Sequence, residues 1–321
     1  MFNRKWSLLG LLLVALLALS ACVAPPAAAP TADDASADAA ADAPAAPTEY
    51  VNAEILVDTD WIVENLENPD VLFMEVSSRQ ESYVEGHISG AVYVHTGSQL
   101  TNPDDSTQGQ ILTQDALSAL FSEIGVTHDT TIVLYDDSNN LSSTRAFWAL
   151  KYYQHEDVRL YNGGKNRWVR DGQELSTDVV EATPSDYVAN DADPEIRTTT
   201  EYVLEHLDDE NVVMCDTRNP EEYTGTDVRA ARGGHVPGAI NLDWVYNVDD
   251  NGMFKSAEEL YELYTAAGFA PDKQIITYCQ TGVRGAHTWF VLRELLGYPD
   301  VRNYDGSWAE YGNREDVPID S

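Results

Sequence analysis

The sequence predicts an α/β protein of two tandem domains, each a mainly parallel sheet flanked by helices. Three observations predict it. The chain has 321 residues, enough for two ordinary domains with a core each. It repeats itself: Ile132-Val133-Leu134-Tyr135 returns as Ile275-Ile276-Thr277-Tyr278, and Leu160-Tyr161-Asn162-Gly163 as Asn303-Tyr304-Asp305-Gly306, both at an offset of 143 residues. Short apolar runs alternate with stretches of helical spacing, as in buried parallel strands joined by right-handed crossovers.

The first element is not part of that fold. Arg4 and Lys5 precede an apolar run from Trp6 to about Leu19, too short to span a membrane and laid out as a secretory signal. The run ends Leu19-Ser20-Ala21-Cys22, small residues before a cysteine as in a bacterial lipobox. Residues 1–21 therefore read as a lipoprotein signal peptide. Cys22 reads as the lipidated residue that anchors the chain to the cell membrane outside the cytoplasm, a plain cleaved signal being the alternative. Residues 22–49 are nearly all Ala, Pro, Asp and Thr. They cannot bury enough surface to offset their chain entropy and read as a disordered tether.

Residues 50–183 form the first predicted domain, 184–195, rich in Asp and Pro, the linker, and 196–321 the second domain. Glu85-Gly86-His87-Ile88-Ser89-Gly90-Ala91 in the first copy matches Gly233-Gly234-His235-Val236-Pro237-Gly238-Ala239 in the second, at an offset of 148, with a longer loop around Thr224 to Arg232. Asn211 to Cys215 and Gln274 to Tyr278 read as strands, Glu258 to Ala267 and Thr288 to Leu296 as helices. In the last of these, Trp289, Leu292, Leu295 and Leu296 share a face and Gly297 is a C-terminal stop.

With 54 acidic against 19 basic residues the net charge is −35, which argues against nucleic acid or anionic lipid as a partner. The three cysteines are too few for a disulfide scaffold. Cys279 follows one predicted strand and opens the loop Gln280-Thr281-Gly282-Val283-Arg284. Ligands of open α/β sheets bind beyond the carboxyl ends of the strands. A tight glycine-containing turn there aims backbone N–H groups inward, and Arg284 adds a cation; both favour a thiolate nucleophile. Cys215 lies inside an apolar strand before Asp216, so it reads as core. In the first copy Asp136 stands in place of Cys279, Asn139 of Gly282 and Leu141 of Arg284, so that domain is predicted to be inactive and to wall the cleft. Asp249-Asp250-Asn251-Gly252 lacks the distant glutamate of a calcium loop and reads as a polar turn.

Asp216-Thr217-Arg218 with Glu222-Tyr223, Gly234 to Ala239, the Cys279 loop and Tyr304-Asp305-Gly306-Ser307-Trp308 together resemble the rhodanese (thiosulfate sulfurtransferase) family, over nearly everything after residue 50. The resemblance implies an inactive first copy and an active second one. It implies that Cys279 cycles between thiolate and persulfide, with no metal or organic cofactor. Sulfane sulfur would pass from a small donor anion, thiosulfate, to cyanide or a thiol. Gln280, Thr281, Gly282, Val283 and Arg284 would bind the substrate, Arg218, Arg232 and Trp308 would bind it or brace the site (Trp308 as a cleft wall), and Asp216 and His235 would be structural. The Cys-X4-Arg spacing is shorter than the Cys-X5-Arg ring of related phosphatases. Mercaptopyruvate-specific relatives have a Cys-Gly-Ser/Thr-Gly-Val-Thr loop; Gln280 and Arg284 depart from it toward thiosulfate. Thr281 and Glu222 stand where thiosulfate enzymes often carry basic residues, and Arg229 or Arg232 is a candidate substitute. A 3-mercaptopyruvate sulfurtransferase and a persulfide-binding relay module without turnover are the alternatives.

Overall fold

The computed structural model describes residues 46–321, so the signal peptide, Cys22 and most of the tether lie outside the described residues. The first half carries strands β1 (Leu56–Val57), β2 (Val71–Ser77), β3 (Val92–His95), β4 (Thr131–Tyr135) and β5 (Val158–Tyr161). Its helices are α1 (Thr59–Asn65), α2 (Gln80–Glu85), α3 (Gln114–Glu123), α4 (Leu141–Tyr152) and α5 (Gly164–Arg170). The second half carries β6 (Arg197–Thr198), β7 (Val212–Asp216), β8 (Ile240–Asn241), β9 (Gln274–Tyr278) and β10 (Val301–Tyr304). Its helices are α6 (Thr200–Glu205), α7 (Pro220–Tyr223), α8 (Ala257–Ala267), α9 (Val283–Trp289) and α10 (Ser307–Tyr311).

The sheets are copies of each other. Their orders are β1-β5-β4-β2-β3 and β6-β10-β9-β7-β8, with every pair parallel. The chain leaves β9 toward β10 on one side and β7 toward β8 on the other. The carboxyl ends of β7 and β9 thus flank a topological switch point, where an open α/β sheet leaves a crevice. Cys279 is the residue directly after β9.

The halves meet through α4 and α9. Phe147 and Phe290, related by the 143-residue repeat, pack edge to face with centroids 4.8 Å apart. This pseudo-twofold relation makes each half a control for the other. The predicted linker is not loose: Tyr187 and Ala189 are buried in the core.

One prediction, the helix Thr288 to Leu296, needs correction. Helix α9 starts at Val283, directly after Gly282 (φ 75°), so half of the expected loop is its first turn. From Phe290 to Leu295 the helix widens into a π-helical turn, and Leu296 N–H bonds Val291 C=O, five residues back (2.9 Å).

Each half braces the end of its second strand with a buried ion pair of different chemistry. In the first it is Glu75–Lys165 (2.6 Å), in the second Asp216–Arg218 (2.5 Å). Burial pushes the Glu75 carboxyl above its ordinary value, and Lys165 counters that rise. Lys165→Met is expected to cost about 3–5 kcal/mol, because it strands a buried carboxylate. Adding Glu75→Gln should restore most of the loss, as read from the denaturant midpoint of each variant.

Candidate active site

The backbone around Cys279 is held on both sides. Its N–H donates to Ser307 Oγ (3.1 Å) and its C=O accepts from Trp308 N–H (2.9 Å). The Gln280 C=O accepts from Ala309 N–H (2.8 Å), and the Tyr278 C=O accepts from Thr217 N–H and from its hydroxyl (2.9 Å each). Ser307 Oγ in turn donates to Tyr304 C=O (2.8 Å). Ser307 sits at φ 51°, where its repeat counterpart is Gly164 at φ 49°. A side chain in that left-handed region is strained. The second half bears the strain and gains the hydroxyl that fixes the Cys279 amide. Sequence reading placed Ser307 in a motif but assigned it no role.

The first half displays what such a loop binds. There the Asp136 carboxylate accepts from the N–H groups of Ser138 (2.8 Å), Asn140 (3.0 Å), Ser142 (2.8 Å) and Ser143 (2.9 Å), and from the Ser143 hydroxyl (3.1 Å). Burial raises its carboxyl above the ordinary value, and those bonds oppose the rise. The nest of amides is occupied by the chain's own anion. Counted from the helix starts, the amides that correspond to those of Asn140, Ser142 and Ser143 are Gly282, Arg284 and Gly285. The second loop is tighter by one residue: Ala286 N–H bonds Gly282 C=O, whereas in the first half Thr144 bonds Asn140. The π turn of the following helix restores the common register.

Cys279 is a free, buried thiol. The Arg284 guanidinium lies between it and Glu222, donating to Glu222 Oε2 (2.6 Å) and Oε1 (2.9 Å) while also interacting with the Cys279 side chain. Burial disfavours the Arg284 cation, but Glu222 and Cys279 more than offset that. Burial likewise raises the Glu222 carboxyl, yet Arg284, Arg229 and Arg218 hold it below its ordinary value. Arg229 approaches Glu222 (3.4 Å), and its C=O accepts from Gln280 Nε2 (3.0 Å).

The other anticipated residues stand one layer back. Arg218 is buried, paired with Asp216, donates to Gly234 C=O (2.8 Å), and lies 4.5 Å over the Trp308 ring. Trp308 is buried and donates to Arg232 C=O (3.0 Å), so it is a brace and not a wall of the cleft. Arg232 spends its guanidinium on the carbonyls of Val317, Tyr311 and Arg314. His235 stacks on Tyr223 (3.7 Å) and bonds its C=O, as His87 does with Tyr83 in the other half. Cys215 is fully buried; burial and then the Asp216 charge push its thiol well above the ordinary value. Asp249 caps the turn at residues 249–253 by accepting from the N–H groups of Asn251 and Met253.

The model of the rhodanese-like domain matches residues 58–171 and again 199–314. The sulfur carrier protein TtuD of Thermus thermophilus is 41% identical over 281 residues, covering 84% of this chain and 98% of its own. The chain belongs to the rhodanese family. A protein of Mycolicibacterium smegmatis, provisionally named a thiosulfate sulfurtransferase, is 40% identical over 276 residues, with 84% and 98% covered. Among solved structures, EanB captured as a cysteine persulfide in a tetrahedral intermediate state with ergothioneine aligns with a TM-score of 0.76. It is 25% identical, and the match covers 85% of this chain and 71% of that one. The family is one of sulfur transfer, and the rhodanese copy with a free cysteine in its loop is the second.

The Glu222–Arg284 pair carries a pH signature. A carboxyl held below its unfolded value stabilises fully above about pH 4.3, and that stability disappears as pH falls through the lower folded value. Glu222→Gln should lower the melting temperature at neutral pH, since it leaves Arg284 without its buried partner. It should also flatten the decline between about pH 4 and pH 2. Calorimetry across pH reads both.

Proposed function

We propose that the second domain transfers sulfane sulfur through a persulfide on Cys279. The observation that carries this reading is the contrast between the halves: one amide nest is filled by Asp136, while its counterpart holds a free thiol beside Arg284. The Cys279 thiolate attacks the outer sulfur of thiosulfate, the sulfur–sulfur bond breaks, and sulfite leaves with the electron pair. Cyanide or a thiol then attacks the outer persulfide sulfur and the thiolate is regenerated. Electrons balance without an added redox agent, and the cycle uses no cofactor. Thiosulfate as donor is supported by the names of the mycobacterial-type relatives. The name of the Thermus relative favours a relay in which a partner thiol takes the sulfur. Glu222, by spending much of the Arg284 charge, favours 3-mercaptopyruvate, a monoanion, as the alternative donor. Lipidation at Cys22 would hold this chemistry at the cell membrane outside the cytoplasm.

Donor-dependent thiocyanate formation tests the reading. Cys279→Ser should fall to background with an unchanged circular dichroism spectrum, and Cys215→Ser should keep the wild-type rate. Mass spectrometry should find one added sulfur on the Cys279 peptide after incubation with donor alone. Turnover by Cys279→Ser would refute the assignment, and rates with thiosulfate against mercaptopyruvate rank the donors.

A further inference from the structure

The inactive half reaches into the loop of the active one. Arg145, buried in the middle of α4, pairs with Asp305 Oδ1 (2.6 Å). The same guanidinium donates to Gly109 C=O (2.8 Å) and approaches Gly282 C=O (3.5 Å). Asp305 also pairs with Arg197 (3.1 Å) and accepts from Ile111 N–H (2.9 Å). Asn303 Nδ2 adds a second donor to Gly282 C=O (3.1 Å). Gly109 lies so close to the loop that a Cβ on it would stand 2.6 Å from Thr281 Cβ.

The repeat shows which of these contacts packing alone requires. On the mirror side Phe254 N–H donates to Asn162 Oδ1 (3.0 Å), as Ile111 does to Asp305, and Gly252 abuts Asn139, as Gly109 abuts Thr281. The uncharged skeleton is therefore common to both sides. The charges are not. Asp305 corresponds to Asn162, Arg145, counted from the helix starts, to His287, whose charge burial suppresses, and Arg197, by strand register, to Leu56. Two guanidinium groups and one carboxylate sit beside the Cys279 loop, with one positive charge in excess. Beside the Asp136 loop their counterparts carry none. Buried ion pairs bring little net stability, so their presence on one side only calls for a reason other than packing.

Peptide geometry supplies that reason. The peptide unit is planar and trans, so a carbonyl held in one direction aims the following N–H in the opposite one. Arg145 and Asn303 both hold Gly282 C=O, and the N–H on the same peptide belongs to Val283. Its counterpart at the start of the other helix, Leu141 N–H, turns back onto Ser138 C=O (3.2 Å). Asp305 lies two residues before Ser307, which fixes the Cys279 amide.

We propose that Arg145 of the nucleophile-free domain is a positioning residue of the Cys279 loop. It orients the Gly282–Val283 peptide and, with Arg197 and Asp305, places the excess positive charge that favours an anion at Cys279. The inference rests on the reading of Cys279 as the nucleophile.

The test uses the double variant Arg145→Met/Asp305→Asn, which leaves no buried charge of that pair alone, and as control Lys165→Met/Glu75→Gln, which removes the other buried pair of the first domain. Folding is followed by circular dichroism and melting. Cys279 is then alkylated with neutral iodoacetamide and with anionic iodoacetate, and kcat and KM are measured for sulfur transfer. The double variant removes one charge of each sign and keeps the excess on Arg197, so kcat and both alkylation rates should fall together, at least about tenfold, because the peptide loses its orientation, while KM changes less. The control should shift the melting temperature and keep wild-type alkylation. Wild-type rates in the folded double variant overturn the proposal. If that variant does not fold, Arg145→Lys decides: it keeps the charge but loses the fork, so kcat should fall while the iodoacetate to iodoacetamide ratio holds, and an unchanged kcat overturns the proposal. Should the wild type transfer no sulfur, the functional reading fails, yet the alkylation rates still decide the role of Arg145.

Discussion

The direction of a few peptide N–H groups at the carboxyl ends of β4 and β9 governs the rest of the molecule. In both halves the chain leaves the strand, turns through a left-handed residue and enters a helix, and in the first half this aims four amides at one carboxylate. Concentrated N–H dipoles away from water need an anion. The first half satisfies them with Asp136 and is chemically closed. The second places a free thiol there, beside the Arg284 guanidinium.

Tightening the ring by one residue has a consequence at a distance. The strand after the helix pairs in the same register in both halves, Val158 to Ile132 and Val301 to Ile275, so a residue removed from the loop must reappear before that strand. It reappears in the π turn at Phe290–Leu295. A π turn gives poorer hydrogen-bond geometry than an α turn. Its persistence is the cost of a four-residue ring on a scaffold that elsewhere accommodates five.

Much of this was legible in the sequence. The repeat, the parallel strands and the loop around Cys279 follow from apolar runs, glycine placement and one fixed offset, all local signals. The start of α9 was misplaced because Val283, Arg284 and Gly285 form a first helical turn without a side-chain cap, so no capping residue marks it. Trp308 was drawn toward the cleft by its neighbours in sequence, but the Arg218 guanidinium and the Arg232 carbonyl hold it inside. The pairing of Glu222 with Arg284 and the reach of Arg145 to Asp305 join residues 62 and 160 positions apart in different elements, and no periodicity encodes such a meeting.

The charge of the whole chain gives these pairings their meaning. At −35 the protein repels small anions in bulk solution, and a dianion approaching Cys279 meets that field first. Salt screens the field beyond about 10 Å, whereas charges under the loop act at short range and in low dielectric. Attraction at the site must therefore come from buried groups. Arg284 and Arg218 are each matched by a carboxylate, and the surplus lies with Arg145 and Arg197 around Asp305. The domain with Asp136 in its loop is thereby tied to the electrostatics of the one with Cys279, and neither half on its own contains the full set of charges around Cys279.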